Sequence, residues 1–337
     1  MSYVKRPSPA LVELLRRQDG VASMEQLASH CFDTSTVYRR IRSGDWQRLL
    51  PEVVLTNSGH PSRRQLLVAA WLWAGDGSAI DGADACVWHG VCGPLPLSAQ
   101  VSVVTSAESG ARSRQFVVVR RSIGEIVVDG RGIVPYVDIA TALIVKARNT
   151  NSTAAAIDTL SRGLQMGFVT VDMLAAARER IGDKWCRAVD AALIAVGVGI
   201  RSPAENVNRD LILSSGILPE PKWNQWLDLG DDLGPVCADA LWVDAGMFQE
   251  VNGTTYHAWG LRFETTEERR ARMVAADHVA TGCTPAQLAR KGPRVLERLE
   301  RTYVINRGRG MPRGVKLIDP PASATIRPND QSRRIRA

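Results

Sequence analysis

The stretch GVASMEQLASHCFDTSTVYRRIRSGDWQRLLPEVVLTN (residues 20–57) decides how the first part of the chain folds. Ser23 stands as a cap before MEQLASHC, a short helix with Leu27 turned inward. Phe32-Asp33 makes a turn, and Asp33 caps a further helix, TSTVYRRIRSG, which Gly44 ends. Val37 and Ile41 stand four apart and pack inward. That leaves Thr36, Tyr38, Arg39, Arg40 and Arg42 on the outward arc, with Thr34, Ser35 and Thr36 at the N-terminal end. Trp46, Leu49, Leu50, Val53, Val54 and Leu55 follow as two short extended runs. Upstream, PALVELLRRQ (residues 9–18) puts Leu11, Leu14 and Leu15 on one helical face before Asp19-Gly20 stops it. Three helices with a tight second turn, then a small hairpin, predict a winged helix-turn-helix. A recognition helix needs hydroxyls and arginines near its start for base edges and further arginines for phosphates. Arg48 in the hairpin adds a backbone contact, and the expected ligand is double-stranded DNA.

Beyond the hairpin, Ser62 to Ala74 reads as another amphipathic helix, followed by AIDGADACVWHGV. Strand patterns come at Gln100–Thr105, Gln115–Arg121 and Glu125–Val137. A helical stretch then runs from Asp138 to Val198, broken at Asn149–Ser152, Gly167 and Gly182. In the last third, SPAENVNRDLILSSG is a helix capped by Ser202 and ended by Gly216. Strands around Cys237–Val243 and Met247–Val251 and a charged helix, ETTEERRARMVAADHV, come next. The end, IDPPASATIRPNDQSRRIRA, is rich in Pro, Ser and Arg and is expected to be disordered. The expected architecture is α+β and multidomain. Residues 1–60 form the DNA-binding domain, 61–200 an α/β middle with a helical connector, 201–318 a further α/β domain, and 319–337 a basic tail.

A chain of 337 residues with 45% hydrophobic and 23% charged side chains has an ordinary globular composition. Its net charge of +7 is unevenly spread. Residues 1–50 carry eight basic and five acidic side chains, and residues 290–337 carry thirteen and four. Positive charge at the two ends suits a bound polyanion. Arg307, Arg309 and Arg313, set among glycines, read as a flexible basic strip able to follow phosphates. Cys31, Cys86, Cys92, Cys186, Cys237 and Cys283 form no C-x-x-C pair and read as buried thiols, not zinc ligands. No apolar run of about eighteen residues and no signal core is present, so a cytoplasmic protein with no membrane partner is expected.

Residues 20–57 also resemble the winged-helix antitoxin domain of the AbiEi type, in which such a module binds promoter DNA and represses its own operon. The hairpin here reads GDWQRLLPEVVL, with Pro51-Glu52 where that family has a basic residue and Gly. SAIDGADACVWHGV is similar to a further family segment and retains Ala85, His89 and Gly90, with His89 read as a packed core histidine. In the last third, SPAENVNRDLILSSGILPEPKWNQ, ADALWVDAGMFQEVNGTTYH and FETTEERRARM resemble the very-short-patch-repair endonucleases of the PD-(D/E)XK superfamily. That resemblance implies one carboxylate from a helix and two from adjacent strands, holding one or two Mg²⁺ ions that activate water. Carried onto this chain, Glu205 takes the helical position, Asp239 the first strand and Glu250 the second, with His257 a candidate for proton transfer. Asn252 departs from the pattern, since an Asp is usual there, and no lysine follows Glu250 at the customary spacing. The resemblances together imply a sequence-specific DNA-binding transcriptional repressor, of the phage-immunity or antitoxin-autoregulator kind, with a degenerate nuclease-like domain. A homodimer and a cognate toxin protein are the further partners implied. The alternative is a Mg²⁺-dependent endonuclease targeted by its winged helix.

Overall fold

Ser8, Ser23 and Asp33 start the three opening helices, α1 (Pro9–Arg17), α2 (Met24–Ser29) and α3 (Thr34–Arg42), by accepting backbone N–H groups that have no partner inside the helix. These observations come from a computed structural model that describes residues 8–122, 124–129, 132–181, 186–252 and 266–321. The chain is α+β and divides into two units, residues 1–149 with 173–184, and residues 150–172 with 185–337.

In the first unit, β1 (Val21–Ser23), β2 (Gln47–Leu50) and β3 (Val53–Leu55) form an antiparallel sheet in the order β1-β3-β2. Leu11, Ala22, Leu27, Phe32, Val37 and Val54 make its core, with Ile41 and Trp46 packed against them. The inward positions read from the sequence are therefore the packed ones. At the β2–β3 turn Glu52 takes a φ of 60°, a region that crowds any side chain.

Helix α4 (Arg63–Ala74) carries four consecutive buried residues, Leu67, Val68, Ala69 and Ala70. Four successive positions go nearly round a helix, so the expectation of an amphipathic helix is corrected. One side of α4 lies on the first sheet and another on β4 (Ala79–Asp81) and β5 (Val101–Ser106) of a second sheet. Between β4 and β5 runs α5 (Gly82–Trp88), so AIDGADACVWHGV is a strand and a helix. The second sheet adds β6 (Val117–Ser122), β7 (Val128–Asp129) and β8 (Tyr136–Val137), in the order β6-β5-β4-β8-β7. The run expected as one strand over Glu125–Val137 holds the two short strands β7 and β8, which pair with each other.

One ion pair ties helix α4 to α5 and another ties β6 to β4 within the sheet. Arg63 grips Asp84 with two bonds, Nε to Oδ1 at 2.9 Å and Nη2 to Oδ2 at 2.5 Å. Asp81, 0% exposed, accepts from Arg120 Nε and from the Gly82 backbone, both at 2.7 Å. His89 packs beside Trp88 with Nε2 at 2.8 Å from the Val137 carbonyl oxygen. The helical stretch resolves into α6 (Ile139–Asn149), α7 (Thr153–Gln165), α8 (Val171–Ile181) and α9 (Arg187–Gly197). It breaks at Asn149–Ser152 and around Gly167, as read; Gly182 lies outside the described residues. Of the six cysteines, Cys31 is exposed, contrary to the burial expected of it.

The second unit is built on α10 (Pro203–Leu213), β9 (Lys222–Asp228), β10 (Val236–Trp242), β11 (Met247–Val251), α11 (Thr266–Ala275), β12 (Val279–Cys283), α12 (Pro285–Asn306) and β13 (Lys316–Ile318). Its sheet has the order β12-β11-β10-β9-β13, parallel at β11–β12 and antiparallel elsewhere. Ile212, Trp242, Met247, Leu299 and Tyr303 form its core. Gly292-Pro293 would ordinarily end a helix, yet α12 continues across a kink at Lys291. Among the described residues no helix is long and apolar enough to cross a membrane.

Truncating one member of a buried pair strands the other charge, which costs about 3–5 kcal/mol. Arg120→Ala should destabilise the first unit by that order in urea unfolding at neutral pH. A loss under about 1 kcal/mol, the value of an exposed pair, would show that Asp81 does not depend on Arg120.

Candidate functional site

Residues suited to function gather in two places, the outer face of α3 and a carboxylate cluster in the second unit. On α3, burial of Val37 and the Asp33 cap fix the rotation of the helix. Arg39 and Arg42 are thereby exposed. Tyr38 is exposed too, and the Arg48 guanidinium of β2 lies over its ring, 4.9 Å from the centroid. This stack brings the hairpin cation onto the helix surface. Arg40 is half-buried and pairs with Asp45 at 3.3 Å, to which Ser43 Oγ also donates at 3.0 Å. Ser35 Oγ donates to Asp33 Oδ1 at 2.8 Å, Thr36 is half-buried with its N–H in the cap, and Thr34 is exposed. Arg39, Arg42 and Arg48 thus present the charge, while Arg40 and Ser35 are engaged within the protein.

The segment around Arg307 and Arg309 differs from the loose strip expected. Gly308 and Gly310 donate their backbone N–H groups to the Asp244 carbonyl oxygen at 3.0 and 2.9 Å, and Tyr303 donates its hydroxyl to Asp244 Oδ2 at 2.5 Å. A Cβ on Gly246 would collide with the Gly310 carbonyl oxygen. Arg309 is held by Asp277, through the carboxylate at 2.5 Å and the carbonyl oxygen at 3.0 Å. Arg307 and Arg313 remain exposed.

Glu205, Asp239 and Glu250 come from α10, β10 and β11. The β10–β11 register pairs Ala240 with Gln249, so one step on Asp239 faces Glu250. Asp239 Oδ2 accepts from the Val251 N–H at 2.7 Å. Glu205 sits in the first turn of its helix, where Ser202 Oγ donates to its Oε1 at 2.8 Å. Its Oε2 accepts from Arg201 N at 2.9 Å and from Asn224 Nδ2 at 2.7 Å. Asn224 also donates to the Gly199 carbonyl oxygen and is held at a φ of 47°. Glu250 pairs through Oε2 with Arg269 of α11, and its Oε1 has no partner among the described residues. His257 lies outside the described residues.

These three side chains are buried, at 9%, 6% and 0% exposed. Burial raises the carboxyls of all three. Glu250 is pushed up to about 8, by burial first and then by Asp239, against the pull of Arg269. Glu205 is raised by burial and then by Asp239, so the three feel one another's charge. They do not close on a common point: among the described residues no three His, Cys, Asp or Glu side chains are arranged to hold a metal ion. Nor does the set fit a divalent cation in its donors. The Glu205 oxygens accept from Ser202, Arg201 and Asn224, Asn252 brings no charge, and the Arg269 guanidinium stands on Glu250 Oε2 where a cation would sit, although Glu250 Oε1 and Asn252 Oδ1 are left without partners among the described residues.

Ser202 was legible as a cap, but Arg201, Asn224 and Arg269 carry no spacing that would have singled them out. Asn224 and Arg269 act through contacts made across the fold, while Arg201 offers Glu205 its backbone N–H from four residues away. The chain matches no protein-family model and no curated protein.

A carboxyl raised in the fold keeps a proton that the unfolded chain has lost. For Glu250 that window runs from its ordinary 4.5 to about 8. Its contribution is full below the lower value and is lost as pH rises through the upper one. Stability of the second unit should therefore fall across this window, and Glu250→Gln should flatten the profile. Parallel profiles for the two proteins would contradict the shift.

Proposed function

We propose that the chain is a sequence-specific, double-stranded DNA-binding regulator of the repressor type. In this reading, residues up to β3 are a winged helix-turn-helix, and the second unit is a PD-(D/E)XK-like domain that no longer cuts. The observation that carries it is the surface of α3, where exposed Arg39 and Arg42 share one face with the Tyr38–Arg48 stack from the hairpin. A helix set in the major groove uses such residues in two ways, with an arginine on a guanine edge and others on phosphates. Asp33 and Val37 orient that helix without occupying its outer face. A repressor of this kind doubles its base contacts by pairing with a second copy, so a homodimer on a pseudo-palindromic site belongs to the proposal. The antitoxin-like role, with a cognate toxin as protein partner, is part of the same reading.

A second reading has one observation in its favour. Glu205, Asp239 and Glu250, assigned from one helix and two adjacent strands, do face one another electrostatically, as in a metal-dependent endonuclease. Against it stand Arg269 on Glu250 and the filled hydrogen bonds of Glu205.

Duplex affinity should fall steeply with salt, by about 0.9 in log K per log salt for each phosphate contact. On a site selected from random duplexes, Arg39→Ala should cost about 1–3 kcal/mol and much less on unselected DNA. Equal losses on both would confine Arg39 to the backbone, and absence of duplex binding by the wild type would end the reading. Supercoiled plasmid carrying the selected site should stay intact in Mg²⁺ or Mn²⁺. Nicking that Asp239→Ala abolishes would make the protein an enzyme.

A further inference from the structure

Helix α12 turns Leu288, Val295 and Leu299 into the core of the second unit. The flank beside that face carries Arg290, Lys291, Arg294, Arg298 and Arg301, all exposed. Among the described residues none of Arg290, Lys291, Arg294 and Arg301 is held in an ion pair. Residues 285–306, the span of α12, contain five Lys or Arg and two Asp or Glu, a balance of +3. The flank has a defined neighbour. Arg298 Nη2 donates to the Gly282 carbonyl oxygen at 2.7 Å, on the edge strand β12. Arg270 of α11 approaches the same glycine, its Nη1 4.0 Å from the Cβ position. Cations from two helices therefore meet over one sheet edge, with Gly282 offering no side chain between them.

We infer that this strip, from Arg290 along α12 to Arg270, is a second binding surface for the sugar-phosphate backbone of duplex DNA, separate from α3. The inference rests on the proposed DNA-binding reading and adds a site to it. From Arg290 to Arg301 the helix rises about 16 Å, over which a duplex presents roughly nine phosphate charges. Among the described residues no exposed aromatic side chain interrupts the strip to stack unpaired bases, and Tyr303 is buried with its hydroxyl on Asp244. The apolar face of α12 is taken up by the core, and its exposed Val304 and Ile305 lie past the strip at the helix end, too few to form a face for lipid. The surface reads charge and supplies affinity without base specificity.

The test uses the full chain with Arg290, Lys291, Arg294 and Arg301 all changed to Gln, and a control of equal charge loss with Arg112, Arg114, Lys222 and Lys316 changed to Gln. Binding to random-sequence duplex DNA should weaken about ten-fold or more in the first variant, with the salt slope shallower by about 3–4. The control should stay close to wild type. The preference for a selected site over random DNA should be unchanged, in contrast to Arg39→Ala. An equal loss in both variants would reduce the effect to net charge and overturn the inference. So would wild-type behaviour of the first variant while Arg39→Ala still loses its selected site, which leaves the α3 reading intact. A larger loss on single-stranded RNA, duplex RNA or anionic vesicles than on duplex DNA would assign the strip to another partner. Absence of duplex binding by the wild type would instead fail the reading on which the strip rests.

Discussion

The first unit depends on α4 having no free side. Leu67, Val68, Ala69 and Ala70 are buried in succession, and burying a Leu or Val side chain contributes about 1.5–3 kcal/mol. The small side chains of Ala69 and Ala70 let the helix sit between two sheets. Its first turn is tied in both directions. Arg63 grips Asp84 of α5, while Arg64 pairs with Asp19 and Gln65 donates to the Asp19 carbonyl oxygen at 2.8 Å. The β1-β3-β2 sheet and its helices are therefore one wall of a larger core. Under the proposed DNA-binding reading, α3 would be presented from a sheet that α4 ties to the rest of the unit.

Local rules made the opening of the chain legible. Ser23, Asp33, Val37 and Ile41 act within a few residues of themselves, and caps and helical spacing are read from exactly such short ranges. Composition misled where burial was two-sided. The pattern of α4 looks amphipathic because Arg63, Arg64 and Gln65 open it, yet those polar groups serve as caps and ties. Strands β9 and β12 were passed over for a related reason. KWNQWLD carries Asn224 and Gln225, which bond within the fold, and VATGC is short and weakly apolar, shaped by pairing with β11. α12 was missed because Gly292-Pro293 punctuates it.

The carboxylate cluster was legible in its members and illegible in its meaning. Glu205, Asp239 and Glu250 could be assigned by resemblance, but their state depends on groups distant in sequence. Asn224 lies nineteen residues from Glu205, and Arg269 nineteen from Glu250. An arginine beside a buried carboxylate supplies a fixed positive charge that a nuclease would obtain from a metal. The same residue types thus serve an internal ion-pair network that orders the sheet end. The presence of three carboxylates does not decide cleavage; the cations around them do.

Guanine N7 protection from methylation on a selected duplex addresses the central claim most directly, because N7 faces the major groove and is the partner an arginine would take. The wild-type protein should protect discrete guanines, and Arg39→Ala should lose protection at some of them while keeping the same backbone footprint. A backbone footprint with no guanine protected by the wild type would contradict a recognition helix at α3.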